Sequence, residues 1–91
     1  MYWYKFTGRS PGEPPMTEYK RYKYQLSAGD ERTEMLEWCT QKGYHELQAR
    51  IEFVDPLPKA VFQEKLMEAE LRLENAQAEL DALRAEEQRY R

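Results

Sequence analysis

From Lys59 to Tyr90 the chain contains neither glycine nor proline, and a seam residue returns every four, then three, positions. The series is Phe62, Leu66, Ala69, Leu73, Ala76, Leu80, Leu83, Glu87 and Tyr90. Leu66, Leu73, Leu80 and Glu87 fall at one seam position of a heptad. Phe62, Ala69, Ala76, Leu83 and Tyr90 fall at the other. This rhythm marks a helix that buries one narrow stripe against another helix. Ala, Leu, Glu, Gln, Lys and Arg, all strong helix formers, dominate the segment. Ahead of it, Asp55-Pro56-Leu57-Pro58 ends one element and suits the first turn of the next, where a missing N–H costs nothing. The pattern predicts one continuous helix over 59–90, roughly 48 Å long.

Length turns that prediction into a constraint. The chain has 91 residues, enough for one compact domain or a smaller one with an appendage. Residues 1–55 make a globule only ~26 Å across, so their sheet covers about half the rod. Leu73, Leu80 and Leu83 are then left in water, where a lone helix is marginal. A partner helix removes the conflict. The sequence therefore predicts self-association, as a homodimer or with a foreign helix, through Phe62, Leu66, Ala69, Leu73, Ala76, Leu80, Leu83 and Tyr90. An antiparallel pair centred near residue 75 sets Leu73 against Ala76 and Leu80 against Ala69. Large meets small, and the space fills better than in a parallel pair that stacks alanine on alanine. Val61, Met67 and Leu71 form a second stripe suited to facing the sheet. The competing reading folds the whole heptad stripe onto the chain's own sheet.

Before residue 55 the pattern has period two. Tyr2, Tyr4 and Phe6 alternate in residues of high β propensity, predicting a strand at 1–7. Residues 8–15 hold three prolines and two glycines, a loop. Lys20, Tyr22, Tyr24 and Leu26 alternate over 17–26, a second strand paired with the first as a hairpin. Asp30 is the expected N-cap of a helix over 30–42, with Glu31 and Glu34 near its positive end. Met35, Leu36, Trp38 and Cys39 give that helix an apolar stripe, and Lys42-Gly43-Tyr44 is its stop. Leu47, Ala49, Ile51 and Phe53 alternate with polar residues as a third strand. The predicted fold is α+β: a three-stranded, mainly antiparallel sheet in the order β-β-α-β, one short packed helix joining strands two and three by a right-handed crossover, and a long C-terminal coiled-coil-like helix. Residues 1–55 form the small α+β domain and 56–91 the helix. The expected core is Leu47, Ala49, Ile51 and Phe53 with Met35, Leu36, Cys39, Phe62 and Leu66.

Chemistry is sparse. The single cysteine, Cys39, excludes an internal disulfide and a cysteine-rich zinc site. Histidine also occurs once, at His45. A nucleophile–base pair needs the two within hydrogen-bonding reach, yet Cys39 lies on an apolar helix stripe, where free cysteine acts as a small hydrophobe. His45 lies in a helix-to-strand turn. The four glycines are scattered and make no phosphate cradle. No catalytic residue, metal ligand or cofactor is therefore expected, and the chain is read as a non-enzyme. No run of ~18 apolar residues exists to span a membrane, and the aromatic start Met1-Tyr2-Trp3-Tyr4 lacks signal-peptide character. A cytoplasmic location is expected.

Contact surfaces carry the functional reading. Net charge is −3 overall, but residues 1–27 carry +3. Tyr19-Lys20-Arg21-Tyr22-Lys23-Tyr24 interleaves aromatics with cations. Such a strand can stack bases and hold phosphates, but the overall acidity opposes a nucleic-acid coat, and tyrosine and arginine are also enriched at protein interfaces. The loop run Pro11-Gly12-Glu13-Pro14 is stiff, which lowers the ordering cost of binding. The expected protein contacts are Arg9, Pro11, Glu13, Pro14, Tyr19, Arg21 and Lys23. The expected function is a non-enzymatic interaction module that self-associates through its C-terminal helix and binds a larger protein, as a stoichiometric inhibitor or adaptor. By analogy of build, viral and phage proteins offer such chains. The alternative is a nucleic-acid-binding protein that uses residues 19–24.

Overall fold

A computed structural model of the chain describes residues 2–72 and 77–90. The chain divides into two compact units, Met1–Pro56 and Leu57–Arg91.

The first unit contains β1 (Tyr2–Gly8), β2 (Met16–Tyr22), α1 (Ala28–Lys42), a single 3₁₀ turn (Glu46–Gln48) and β3 (Ala49–Val54). The sheet order is β2-β1-β3, and both outer strands run antiparallel to β1. β2 and β3 are therefore parallel to each other with β1 between them, and α1 carries the chain from one edge to the other. The α+β class and the three-stranded antiparallel sheet are those expected from the alternation of residues.

Register sorts the side chains into two faces, because successive residues of a strand point to opposite sides. Tyr4 lies between Lys20 and Phe53, and Phe6 between Glu18 and Ile51. That face meets α1. Tyr4, Phe6 and Trp38 are fully buried, with Tyr2, Tyr22, Leu26, Tyr44, Ala49 and Ile51 packed around them. Trp38 lies 5.6 Å from the Phe6 ring and stacks on Tyr44 at 5.5 Å. Its indole N–H donates to Glu18 of β2. Tyr4 meets Tyr22 and Phe53 edge-on and accepts a hydrogen bond from the Leu26 N–H at 2.8 Å. Ring pairs of this kind contribute about 0.5–1.5 kcal/mol each beyond their buried area. Gly8 is required by the same packing: a Cβ there would lie 2.5 Å from the Tyr44 ring.

Local chemistry moved several boundaries. α1 starts at Ala28 because Ser27, not Asp30, is the cap; the Ser27 hydroxyl accepts from the Asp30 N–H at 3.1 Å. Serine caps as well as aspartate does, and Asp30 with Glu31 then occupies the first turn. The helix ends at Gly43, whose φ of 81° lets Gly43 and Tyr44 both donate to the Cys39 carbonyl. β2 ends at Tyr22, short of the expected residue 26. Leu47 is corrected from core to surface. His45 Nδ1 accepts from the Leu47 N–H, and the Gln48 side chain accepts from the His45 N–H. This box closes a 3₁₀ turn, breaks the alternation and leaves Leu47 86% exposed. The centre of the core is β1, absent from the expected list, because a central strand is screened on both edges.

The second unit corrects the largest expectation. The single helix over 59–90 is two helices, α2 (Lys59–Leu71) and α3 (Gln77–Glu86), followed by a 3₁₀ turn at Glu87–Tyr90. Phe62 and Tyr90 stack with ring centroids 4.5 Å apart, whereas a continuous helix would hold them ~42 Å apart. The chain has doubled back, and α2 lies against α3. The Tyr90 hydroxyl donates to the Leu57 carbonyl at 2.8 Å. Phe62, Ala69 and Leu83 are buried, and Leu66, Leu80 and Tyr90 half-buried; Leu73 and Ala76 lie outside the described residues. The heptad stripe is thus largely buried in an antiparallel pair made within one chain, which avoids the translational cost of recruiting a second. Met67 and Leu71 of the second stripe remain 62% and 81% exposed.

Two outcomes test this packing. Gly8→Ala should lower stability by about 1–3 kcal/mol, since the Tyr44 ring is held by Trp38 and cannot yield freely. Urea unfolding measures the change. Burial, then the charge and hydrogen bond of Glu34, then the charges of Glu37 and Glu18, push the Tyr22 hydroxyl above the ordinary tyrosine range. An unfolded tyrosine ionises near ~10, while the folded one keeps its proton to higher pH. Unfolding therefore releases a proton in that window, and stability that is complete below pH ~10 declines as pH rises through it. Tyr22→Phe should flatten this alkaline decline and lose roughly 1 kcal/mol or less near neutrality with the Glu34 bond.

Candidate functional site

The face of the sheet opposite α1 is a grid of three rows. Thr7 lies between Thr17 and Arg50, Lys5 between Tyr19 and Glu52, and Trp3 between Arg21 and Val54. Period two alone puts these nine residues on one side. Lys5 and Glu52 pair at 3.9 Å.

The open end of this face holds a groove of about 550 Å³, lined by Thr7, Arg9, Pro11, Leu47, Gln48 and Arg50 among others. Each lining residue has a local reason for its place. Pairing of β1 with β3 runs one rung past Gly8 and Ala49, where the Arg9 N–H donates to the Gln48 carbonyl at 2.9 Å. This brings the start of the proline-rich loop beside the 3₁₀ turn. A second turn, in which the Glu13 N–H donates to the Ser10 carbonyl at 3.1 Å, folds the loop, with Gly12 at a φ of 77°. The 3₁₀ turn then presents Leu47 outward.

The electrostatics are one-sided. Arg9 and Arg50 are exposed, and neither guanidinium has a hydrogen-bond or ion-pair partner among the described residues. Of the nearby carboxylates, Glu52 is engaged with Lys5 and Glu46 with Arg32 at 3.3 Å, while Glu13 of the adjacent loop pairs with neither arginine. Two free planar guanidinium groups are suited to a carboxylate or phosphate, which each can hold through parallel N–H donors. In the same groove the Thr7 hydroxyl is enclosed, without a hydrogen-bond partner among the described residues.

The residues singled out from the sequence are partly gathered and partly dispersed. Arg9 and Pro11 line the groove. Tyr19 and Arg21 are half-buried on the same sheet face, in the rows beyond Thr17. Glu13 and Pro14 are exposed in the β1–β2 loop outside the groove, and Lys23 is exposed in the bend after β2. The basic aromatic run is divided by the pleat. Lys20 lies over the Phe6 ring at 5.3 Å, and Tyr22 donates to Glu34 at 3.1 Å, both on the α1 side. Of the run's strand residues, Tyr19 and Arg21 share the groove's face. Sequence reading missed Thr7, Leu47, Gln48 and Arg50. Arg50 was visible as an outward position of the third strand; its place opposite Thr7 depended on a pairing that alternation alone does not specify.

Cys39 is buried, and burial followed by the charge of Glu46 pushes its thiol up, away from a reactive thiolate. His45 is held by the turn it caps. Among the described residues no group of three histidine, cysteine or acidic side chains is placed to hold a metal ion. No helix among them is long and apolar enough to cross a membrane. Comparison with protein-family models, with curated proteins and with solved structures gives no match.

An enclosed hydroxyl without a partner costs roughly 1–3 kcal/mol of desolvation, and an isosteric apolar group removes that cost. Thr7→Val should therefore leave thermal stability unchanged or raise it by up to ~1 kcal/mol. A marked loss in a melting experiment would mean that the hydroxyl is bonded after all.

Proposed function

We propose that this chain is a non-enzymatic protein-interaction module that acts by occupying a surface on a larger protein, as a stoichiometric inhibitor or an adaptor. The observation that carries the reading is the pair of arginines, Arg9 and Arg50, that have no partner among the described residues and stand beside an exposed leucine and a stiffened loop. Arginine and tyrosine anchors supply much of the energy at protein interfaces, and Tyr19 and Arg21 extend the same face. The side chains best suited to covalent chemistry, Cys39 and His45, are committed to packing and to a turn.

Self-association belongs to the same proposal in altered form. Phe62, Ala69 and Leu83 are already buried in one chain, so a second copy pairs through them only where α2 and α3 part. Met67 and Leu71 are the apolar pair left exposed on α2. Light scattering over a dilution series reads this directly: a dimer dissociates on dilution, and a monomer at high micromolar concentration removes the idea.

The second reading is nucleic-acid binding through Tyr19, Arg21 and Lys23. Tyr19 and Arg21 share a face with Arg9 and Arg50, which favours it, while the commitment of Lys20 and Tyr22 to the α1 side weakens it. Binding of this kind falls steeply with salt. The experiment that separates the two is copurification from the native host beside a titration with single-stranded oligonucleotide at low salt. The interaction reading expects a protein partner that is lost with a Tyr19/Arg21/Lys23 triple alanine variant of unchanged melting profile, and no oligonucleotide binding.

A further inference from the structure

We propose that the groove at the open end of the sheet docks an acidic segment of a partner protein, with a carboxylate held by Arg9 and Arg50 and an adjoining apolar side chain laid on Leu47 and Pro11. This rests on the interaction reading above and gives that partner its chemistry. Charge complementarity is the first argument. Both guanidinium groups lack partners among the described residues, and the carboxylates flanking them in the chain, Glu46 and Glu52, are paired with Arg32 and Lys5. Glu13, in the adjacent loop, forms no ion pair with either arginine. The second argument is the apolar rim. Leu47 is 86% exposed, and it is held there by the His45–Gln48 box rather than by chance of a loose loop.

The same features decide against a phosphate chain. A nucleic acid needs a row of cations and flat rings on which bases stack. Here the groove sets two cations beside a leucine and a proline with no aromatic ring in its lining; Tyr4, Phe6 and Tyr22 are turned to the α1 side, and on the groove's own face Trp3 is buried and Tyr19 lies in the next row. A peptide in which an aspartate or glutamate neighbours a leucine matches both parts of the groove. Gln48 adds a side-chain amide on the groove wall, its Oε1 already bonded to the His45 N–H.

The test is a titration of the full ¹⁵N-labelled chain, read by backbone amide and arginine Nε–H resonances. The probes are the peptide acetyl-Asp-Leu-Asp-Leu-amide, its acetyl-Asn-Leu-Asn-Leu-amide counterpart and an oligothymidine. The acidic peptide should shift Arg9, Leu47, Gln48 and Arg50, and the asparagine peptide should not. Arg9→Gln and Arg50→Gln should each weaken binding by ~10-fold or more, with an unchanged circular dichroism spectrum. Leu47→Ser, which changes no charge, should weaken it as well. Absence of a shift with the acidic peptide, shifts that survive both arginine substitutions, or stronger binding of the oligothymidine to the same residues would each overturn the proposal. If the peptide fails while a host protein still binds through Tyr19, Arg21 and Lys23, this inference falls alone. If neither binds, the interaction reading falls with it.

Discussion

Trp38 is the contact on which the first unit depends. Its ring lies against Phe6 of β1 and stacks on Tyr44 beyond the helix, and its N–H reaches Glu18 of β2. One side chain thus joins α1, two strands and the segment leading to the third. It also decides which side of the sheet faces α1. Once Phe6 points to the helix, the pleat sends Thr7 and its neighbour Arg50 the other way. The groove is a by-product of that choice, formed at the open end of the face turned away from α1.

The second unit shows how one pattern can satisfy two architectures. A heptad seam needs a facing helix, but its rhythm does not say whose helix that is. The seam asks for a facing helix, and the stack of Phe62 on Tyr90 shows that the chain itself provides an antiparallel one. Folding back supplies it at an effective concentration that no separate copy matches. Tyr90 reaches both the Phe62 ring and the Leu57 carbonyl, so the aromatic at the end of the seam works as a clasp.

Much of the local structure was legible because it rests on short-range chemistry. The alternation of Tyr2, Tyr4 and Phe6, the glycine stop at Gly43 and the proline-rich loop each act within a few residues. What was not legible depends on side-chain capping that alternation does not register, or on partners distant in sequence. Leu47 fits the alternation of the third strand perfectly well, yet a hydrogen-bonding box between His45 and Gln48 removes it. The span 59–90 holds no breaker residue, so helix propensity gave no reason to divide it. Arg9 was picked out for its loop, but Arg50 became its neighbour only through the pairing of β1 with β3. Strand order, and with it the groove, is a property of the whole sheet.

The Phe62–Tyr90 stack places the two ends of the second unit side by side, and this restricts how its arms can change in evolution. One residue inserted into either arm rotates everything beyond it by ~100° and turns the seam away. Seven inserted into one arm keep the seam but carry its end ~10 Å past its mate. Only matched changes in both arms preserve the closure, so this unit is expected to vary in length by paired heptads or not at all.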